Sequence, residues 1–560
     1  MGQNNESPCT GEMVTGKMLK THENTVNECK VQIEKVNNSF QLPKLMIEFD
    51  DLTSPETYLN HIHQLKGKNE VTPHNKILNH LLDQIEPLDF ETLAYPEAKS
   101  IREQMEDLDI NGSDEDKEEW NMYSKQLNKL KLNVKHYLVL SIENTLKLAE
   151  KNQWGLCKNL DFIYLFNGTY WDEVNVETFQ KFLGEAAEKM GVPKFSARYY
   201  QFREQLFKQF LASGHLPTPE SEKDTVLINL LNGTFEINPQ GIKLRPFDRS
   251  DFITYKLPFE YDPQAKAPLF EAYLNRVLPD KDRQKVLAEY LGFVFIKHGS
   301  NALKEEKALI LFGTGANGKS VFFEIVNALL GSDNVSSYSL QSLTNDNGYF
   351  RAKLANKLVN YASEINGKLE ASIFKQLVSG EPVEARLPYG EPFILKQYAR
   401  MIFNCNELPK DVEHTAAYFR RFLIIPFDVT IPESEQDKNL HTKIILNELS
   451  GVFNWVIEGL NRLLEQKHFS DCDAAKKAVE QYEIESDSVK MFLVDNEYKV
   501  SAINEIPLKE LVSEYRSYCI ENGFRACSRN TLTGRLRSSG YQLNRKNYGT
   551  VVNAEKMIVY

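Results

Sequence analysis

Apolar residues recur at two spacings along this chain, and each spacing predicts a different kind of element. Residues 1–44 are polar and show no sustained period, so we predict a disordered tail there. Residues 45–150 place apolar side chains three and four positions apart, as at Leu78 and Leu82, and this pattern is typical of packed helices. We predict a helical accessory region whose function the pattern does not indicate.

Two Asn-Gly pairs lie between short runs of bulky residues and predict β-hairpins over residues 162–171 and 226–237. Residues 252–261 have the composition of another strand. Helical spacing is found in three nearby stretches, which are residues 177–189, 197–213 and 269–298. Together these segments predict an α+β module over residues 151–275.

Four apolar segments with the composition of buried strands follow, and residues 321–330 between the first two have helical spacing. The four segments are residues 309–312, 357–365, 400–409 and 422–427. We predict an α/β domain over residues 276–435. A helical segment is predicted after it, over residues 436–500.

The first of these strands runs into a glycine-rich loop with the sequence GTGANGKS. Glycines leave room for backbone N–H groups to face phosphate oxygens, and the positive end of the following helix adds to that attraction. We predict that the loop binds ATP, that Lys319 neutralises the β- and γ-phosphates, and that Ser320 holds Mg²⁺. The residues predicted to contact the nucleotide are Gly313, Thr314, Gly315, Ala316, Asn317, Gly318, Lys319, Ser320 and Val321. A chance match to a degenerate pattern is the alternative.

Polar residues next to the remaining strands predict the rest of a hydrolytic site. Glu364 ends the second strand, where a carboxylate can polarise the attacking water or help to hold Mg²⁺. Asn406 ends the third strand, where an amide can contact the γ-phosphate. Arg420 and Arg421 precede the fourth strand and suit an arginine finger that acts on a neighbouring subunit. The alternatives are a solvated carboxylate, a turn asparagine and surface ion-pair arginines.

Residues 501–560 combine two predicted helices with a hairpin, and residues 522–554 contain no Asp or Glu. The basic residues available there include Arg529, Arg535, Arg537, Arg545 and Lys546. On the second helix, Leu532 and Leu536 are predicted to face inward and the arginines outward. This arrangement predicts a winged helix that contacts duplex DNA, and a surface for protein contacts is the alternative.

In chain order, GTGANGKS, the strand that ends at Glu364, FNCNELP and FRRFLIIPF resemble motifs A, B and C and the arginine finger of the superfamily 3 helicases. The resemblance covers residues 150–555 and is closest to the phage, plasmid and poxvirus primase-helicase group. It implies an AAA+-type P-loop ATPase core, a hexameric ring and ATP-driven movement on single-stranded DNA. Motif B of the family often has two adjacent acids, whereas Ser363 precedes Glu364 here.

The family also has a helix and hairpin between motifs B and C whose tip contacts DNA in the pore of the ring. Residues 374–396 match that pattern in outline, with Lys375, Arg386 and Lys396 at its basic positions. The tip lacks the usual basic cluster and contains Tyr389, which can stack on a base. A solvated hairpin without a role in DNA binding is the alternative.

Composition changes this picture little. The net charge of −12 does not exclude nucleic-acid binding, which depends on local basic surfaces. The seven cysteines form no CxxC pair and predict neither a zinc site nor a disulfide framework. A calcium-loop spacing occurs at residues 107–118, where an acidic linker is the preferred interpretation. Because we find no signal sequence and no apolar run of about 18 residues, we expect a cytoplasmic protein without a membrane partner.

These predictions describe an ATP-dependent replicative DNA helicase of a virus or mobile element. No primase centre is recognisable in the first 150 residues, so a separate primase is an expected partner. Two alternatives stay open. One is an origin-binding initiator whose ATPase controls assembly on DNA, and the other is a P-loop kinase of small molecules that acts as a monomer.

Overall fold

The computed structural model describes residues 74–109, 111–159, 162–214, 224–239, 241–363, 365, 370–388, 390–409 and 412–556. The disordered tail predicted over residues 1–44 and the first part of the predicted helical region lie outside these ranges. Glu364 and Tyr389 also lie outside them, so the roles predicted for these two residues stay predictions.

Helices dominate the first described region and pack with a small antiparallel sheet. The first helices are α1 (His74–Asp83), α2 (Phe90–Ala94), α3 (Glu97–Glu106), α4 (Asp114–Leu127) and α5 (Val134–Lys151). The sheet contains β1 (Leu156–Asn159), β2 (Phe162–Phe166) and β3 (Trp171–Glu173), and β2 and β3 form the first predicted hairpin. The helices that follow are α6 (Val176–Met190), α7 (Lys194–Arg198) and α8 (Tyr200–Ser213). Their apolar side chains share one core, which includes Leu81, Phe179 and Phe210.

The second predicted hairpin is present, but the strand predicted after it is not. The hairpin is part of a sheet of β4 (Val226–Leu230), β5 (Gly233–Asn238) and β6 (Gly241–Arg245). Residues 252–261 instead form an irregular segment against this sheet, where Leu257 N–H donates to Asn229 O at 2.8 Å and Leu231 N–H donates to Phe259 O at 3.0 Å. Pro258 has no N–H to donate, so a regular ladder cannot form there.

Two helices, α9 (Pro268–Val277) and α10 (Lys281–Phe293), replace the single helix predicted over residues 269–298. Pro279 interrupts the helical hydrogen bonds because it lacks an N–H. Asp280 then caps α10 by accepting a hydrogen bond from Asp282 N–H at 2.9 Å. The break therefore divides the predicted helix into two before the central sheet begins.

The elements of the central region alternate between strands and helices. In chain order they are β7 (Ala308–Phe312), α11 (Lys319–Leu330), β8 (Val335–Ser336), α12 (Leu340–Leu343), α13 (Tyr349–Ala352), β9 (Val359–Ala362), α14 (Ala371–Ser379), β10 (Val383–Arg386), β11 (Pro392–Leu395), β12 (Arg400–Cys405), α15 (Ala416–Phe419) and β13 (Phe422–Pro426). Five of the strands form one parallel sheet in the order β13-β7-β12-β9-β8, which confirms the predicted α/β class. The first strand, β7, lies between the last two. Such a reversal of strand order opens a crevice at the carboxyl ends of the strands, where α/β sheets bind ligands.

Both faces of this sheet are covered, which explains why its strands are apolar throughout. Leu309 and Leu311 of β7 contribute to one hydrophobic core, and Ala308 and Ile310 contribute to another. The buried strands therefore fix the edge of the sheet from which the glycine loop emerges.

The remaining elements are α16 (Leu440–Asn447), α17 (Leu449–Gln466), α18 (Asp473–Glu485), α19 (Ser488–Asp495), β14 (Tyr498–Val500), β15 (Ile506–Pro507), α20 (Leu508–Glu521), α21 (Arg529–Ser538), β16 (Leu543–Lys546), β17 (Gly549–Val552) and β18 (Ala554–Lys556). α17 packs closely against α10, and a buried carboxylate at Glu289 accepts a 2.6 Å hydrogen bond from Arg462 across that interface. The last helices pack on a sheet of β15, β17 and β16, and Leu532 and Leu536 face inward as predicted.

The outward orientation predicted for Arg535 is wrong. Its Nη1 donates to Asp487 Oδ1 at 2.8 Å, and Asp487 is buried at the start of α19, where it also accepts a hydrogen bond from Val489 N–H. A buried carboxylate needs a cation and hydrogen-bond donors, and this requirement draws the guanidinium inward.

Candidate functional site

The loop between β7 and α11 begins at the carboxyl edge of the central sheet. Gly313 N–H donates to Cys405 O at 3.1 Å, so the loop starts against the end of β12. A Cβ at Gly313 would lie 2.2 Å from Asn317 Nδ2 and 2.6 Å from Phe427 O. Gly318 has a φ of +88°, in the left-handed region that favours glycine. The backbone path of the loop therefore requires glycine at both positions.

Lys319 is the first residue of α11, and its side chain folds back over the loop with only 6% of its surface exposed. Its Nζ donates to Gly313 O at 2.5 Å and to Asn317 Oδ1 at 3.1 Å. Burial lowers the pKa of Lys319 from its ordinary value because the ammonium group has lost water. Asn317 Nδ2 donates to Phe427 O at 3.1 Å, which ties the loop to the chain after β13. The ammonium group is thus held inside the loop by an amide that is itself anchored.

Other contacts fix the start of α11 from behind. Tyr273 OH, from α9, donates to Gly318 O at 2.8 Å. Ile431 N–H donates to Ala316 O at 2.7 Å. Among the predicted contact residues, the exposed ones are Thr314, Ala316 and Ser320, and the half-buried ones are Gly315, Gly318 and Val321. The loop therefore presents its middle and the hydroxyl of Ser320 to solvent while its base stays fixed.

The sheet brings Asn406 to the same edge as the loop. Cys405, the last residue of β12, pairs in register with Phe312, the last residue of β7. Asn406 follows Cys405 directly and is exposed, so it lies beside the first residue of the glycine loop.

β9 ends at this edge too. Ala362 pairs in register with Phe403 of β12, and Ser363 follows it with its side chain exposed. Glu364 comes next in the sequence, outside the described residues. β9 therefore ends at the same edge of the sheet as β7, with β12 between them, and the position of the Glu364 carboxylate stays a prediction.

Arg420 and Arg421 lie at the opposite, amino edge of the sheet. Ala308 N–H donates to Arg421 O at 2.8 Å, which places the pair beside the start of β7. Five residues of strand at about 3.3 Å each, or about 16 Å, separate that edge from the loop of the same chain. Arg421 is buried, where its Nη2 donates to Ser379 Oγ at 2.9 Å and lies 3.3 Å from Glu306. The Arg420 side chain is 62% exposed and pairs with Glu306 at 3.2 Å.

The helix and hairpin predicted from the family resemblance are present as α14, β10 and β11. Lys375 on α14 forms an ion pair with Glu413 at 2.9 Å. Arg386 is exposed and donates from Nε to Gly390 O at 2.8 Å, and Lys396 is exposed as well. Two of the three predicted basic residues are therefore on the surface, and Lys375 already has an anionic partner.

At the C-terminal end, four of the five predicted basic residues are exposed, namely Arg529, Arg537, Arg545 and Lys546. Lys546 pairs with Glu505 at 3.1 Å. Arg535 forms an ion pair with the buried Asp487, so it stabilises the module and does not add to the exposed basic surface.

Sequence reasoning missed the partners that hold these predicted side chains. Glu413 on Lys375 is 38 residues away in the chain. Glu306 binds both arginines at the amino edge, and Asp487 binds Arg535. Each pair joins segments that the sequence separates, and no local pattern marks them. The sequence shows only that each cation would need an acidic partner if it were buried, and it does not show which acid that is.

Within the described ranges, no group of three or more His, Cys, Asp or Glu side chains is arranged to hold a metal ion. No helix in the part of the chain that the structure describes is long and apolar enough to cross a membrane.

Two protein-family models match parts of this chain. Residues 140–279 match the family described as D5 N terminal like, and residues 311–421 match a family of unknown function, DUF5906. The second match begins within β7 and ends at Arg421, so it spans the glycine loop and most of the central sheet.

A curated relative, "Putative helicase L207/L206" of Acanthamoeba polyphaga mimivirus, is 26% identical over 232 residues. The match covers 39% of this chain and 23% of the relative, so the chain spans less than a quarter of that protein's length. The sequence similarity to a protein named as a helicase is therefore distant and partial.

Similar solved structures include two of the NrS-1 C terminal region. The A form apo structure of residues 305–718 has a TM-score of 0.42 and 13% identity, with 73% of this chain and 98% of that chain covered. A second A form apo structure has a TM-score of 0.41 and 13% identity, with 74% and 98% covered.

Proposed function

We propose that this protein is an ATP-dependent DNA helicase of superfamily 3 that unwinds DNA during replication of a phage, plasmid or other mobile element. One observation carries the proposal. The buried ammonium group of Lys319 lies inside a glycine loop at the carboxyl edge of a parallel sheet, and Asn406 follows the neighbouring strand at that edge. The partial similarity to a mimivirus protein named as a helicase supports this choice among ATPases.

In this proposal the loop binds the phosphates of ATP through its backbone N–H groups and the N-terminal end of α11. Lys319 exchanges its contacts with Gly313 O and Asn317 for β- and γ-phosphate oxygens, whose negative charge favours the protonated amine. Asn406 contacts the γ-phosphate, and Glu364 polarises the attacking water. The water oxygen bonds to the γ-phosphorus while the bond to the ADP oxygen breaks, and ADP and phosphate leave.

The oxygen donors at this edge suit Mg²⁺. Ser320 presents its hydroxyl in the first turn of α11, and Glu364 lies two residues beyond the end of β9 in the sequence. These two residues would hold the ion, which neutralises phosphate charge when it is bound.

We assign Arg420 as the arginine finger that acts on the nucleotide of the neighbouring subunit. It is exposed at the amino edge and too far from the loop of its own chain, so it can act only on the nucleotide of another copy. Arg421 is buried in hydrogen bonds within its own chain and acts as a structural residue in this proposal. Hydrolysis then requires an oligomer, and the family resemblance favours a hexameric ring.

DNA contacts in the proposed ring come from Arg386, Lys396 and Tyr389 on the hairpin. Lys375 forms an ion pair with Glu413, which lies on the segment that runs from Asn406 to α15. In this proposal the ion pair links the γ-phosphate contact at Asn406 to the helix that precedes the hairpin. At the C-terminal end, a winged helix would contact duplex DNA. Its exposed basic residues are Arg529, Arg537, Arg545 and Lys546.

The test is strand separation on a DNA duplex with one single-stranded tail, measured with ATP and Mg²⁺ together with ATP hydrolysis and particle mass. We expect unwinding by an oligomer, hydrolysis stimulated by the single-stranded tail, and no unwinding by Lys319→Ala. The matched control is Lys285→Ala, which removes a half-exposed lysine of α10.

Two outcomes would replace the proposal. Sequence-specific DNA binding with hydrolysis but no unwinding would indicate an origin-binding initiator. Hydrolysis by a monomer that is indifferent to DNA would indicate a small-molecule kinase or another ATPase. The separate primase expected from the sequence can be tested by adding a primase to the unwinding reaction and measuring whether unwinding changes.

A further inference from the structure

Three aromatic rings stand on the protein surface within six residues of α7 and α8. Phe195 is 91% exposed, Tyr200 is 60% exposed and Tyr199 is 50% exposed. Single exposed apolar residues are common on protein surfaces, but a group of large aromatic side chains usually marks a contact site. We call these three residues the aromatic patch.

The patch sits on a rigid base. Ala197, Phe202 and Leu206 lie between or beside the exposed rings in sequence and are buried in the core of the first region. The Tyr199 and Tyr200 rings contact each other edge to face at 5.0 Å between centroids. The rings are therefore held outward by a folded helix pair, with little ordering needed on binding.

Basic side chains flank the patch in a chain whose net charge is −12, and the acids Glu185 and Glu188 lie near one of them, Arg198. Lys194 and Arg198 are exposed beside the rings, and residues 191–208 contain four basic residues and one acid, Glu204. A second acid, Glu188, accepts hydrogen bonds from Arg198 at 2.8 and 3.0 Å. Lys194 thus provides a cation next to Phe195, and Arg198 is oriented by its carboxylate partner.

We propose that the aromatic patch binds single-stranded DNA by stacking bases on its rings while Lys194 contacts the phosphate backbone. The inference rests on the proposed helicase function for its ligand and adds a site ahead of the motor domain. The three exposed residues are all aromatic, and Lys194 next to Phe195 is an exposed cation. Both features match single-stranded nucleic acid, whose bases offer stacking faces and whose backbone is anionic. Duplex DNA hides its base faces, so we expect it to bind this patch poorly.

The first experiment measures binding of a fluorescent single-stranded oligonucleotide to the full chain without nucleotide. We expect Phe195→Ala/Tyr199→Ala/Tyr200→Ala to weaken binding by about tenfold or more, because the loss of one stacked base typically costs about fivefold to a hundredfold. The variant Phe195→Leu/Tyr199→Leu/Tyr200→Leu keeps apolar area but loses the rings, and it should weaken binding to a similar degree. Tyr199→Phe/Tyr200→Phe keeps the rings and should bind normally.

Controls separate folding from contact. Phe195→Ala alone removes a side chain that is almost wholly exposed, so its melting temperature should not change while its affinity falls. Ile242→Ala, which removes an exposed aliphatic residue from β6, should leave binding unchanged. Lys194→Ala should reduce the slope of log affinity against log salt by about 0.7, the value for one contact with a single strand.

Two results would overturn the proposal. Wild-type affinity in the alanine triple variant would show that the patch is not a DNA site, and normal oligonucleotide binding by the leucine triple variant would show that base stacking on the rings does not carry the binding. Failure of the helicase function is distinguishable, because that function is measured by unwinding and ATP hydrolysis, whereas the patch is measured by oligonucleotide binding without nucleotide. Lys319→Ala should abolish hydrolysis and leave patch-dependent binding in place. Base-specific cross-linking from a bromouracil oligonucleotide to residues 195–200 gives a direct readout at the site.

Discussion

The two edges of the central sheet hold their positive charges in opposite ways. At the carboxyl edge, the ammonium group of Lys319 contacts a loop carbonyl and the amide of Asn317, and the loop starts against the end of β12. At the amino edge, Arg400 is buried, with Nη2 donating to Ile296 O at 2.9 Å and its guanidinium 3.9 Å above the Phe293 ring. In the proposed function the first cation exchanges its partners for a ligand, whereas the second is part of the core.

The arginines at the amino edge also differ from one another in burial. Burial lowers the pKa of Arg400 to about 10, because the charged guanidinium has lost its hydration. Arg421 is buried nearby in the same layer, while its neighbour Arg420 is exposed. Adjacent residues at one edge therefore differ in exposure: Arg421 is buried within its own subunit, and Arg420 is the one that the proposed function assigns to another copy.

The largest effect should come from Arg420→Ala. We expect ATP hydrolysis by the assembled protein to fall about a thousandfold, because a missing arginine finger removes charge stabilisation at the transferred phosphoryl group. An equal mixture with Lys319→Ala should recover about a quarter of wild-type activity, because only mixed interfaces pair an intact loop with an intact finger. No recovery in the mixture, with oligomerisation intact, would contradict the assignment of Arg420 to a neighbouring site.

Arg421→Ala should instead act on stability. We expect the free energy of unfolding to fall by about 2–4 kcal/mol, because the substitution empties a buried position and leaves the Ser379 hydroxyl and the Glu306 carboxylate without this donor. Urea unfolding of Arg421→Ala and Arg420→Ala provides the comparison, and the exposed residue should cost less than about 1 kcal/mol. Equal losses in the two variants would remove the distinction between them.

Asn317→Ala should weaken the carboxyl edge without unfolding the protein. The amide anchors the loop to Phe427 O and orients Lys319, so we expect kcat/KM for ATP to fall about tenfold to a hundredfold. Steady-state hydrolysis measures this change, and Asn447→Ala, an exposed asparagine at the end of α16, is the matched control. Unchanged kinetics would mean that the backbone alone positions Lys319.

The smallest effect should be a dependence of stability on pH at the amino edge. Burial, together with nearby Arg400, lowers the pKa of His298 well below its ordinary value. The folded protein then binds fewer protons than the unfolded chain below about pH 6.5, so stability is complete above that pH and falls as the pH drops, by up to about 1.4 kcal/mol per unit. Melting curves between about pH 5.5 and 7 should show this slope in the wild type and lose it in His298→Gln, while the exposed His80→Gln keeps it.

Local pattern was sufficient for much of this molecule. Apolar runs predict β7, β9, β12 and β13 because strands covered on both faces need no polar side. The glycine spacing predicts the loop because position 313 has no room for a Cβ and position 318 has a positive φ that favours glycine. Pattern failed at residues 252–261, where Pro258 removes a donor within an otherwise strand-like run.

The sequence by itself determined the strands, the glycine loop and the order of the polar residues that follow the strands, because each depends on neighbours a few residues away. Only the tertiary structure decided which cations are exposed and which are buried. Arg420 and Arg421 are adjacent and chemically identical, yet one faces solvent and the other faces Ser379. Likewise, Arg535 is held by Asp487 across 48 residues of chain. Charge is a property of the residue, but burial and pairing depend on segments that meet only when the chain has folded.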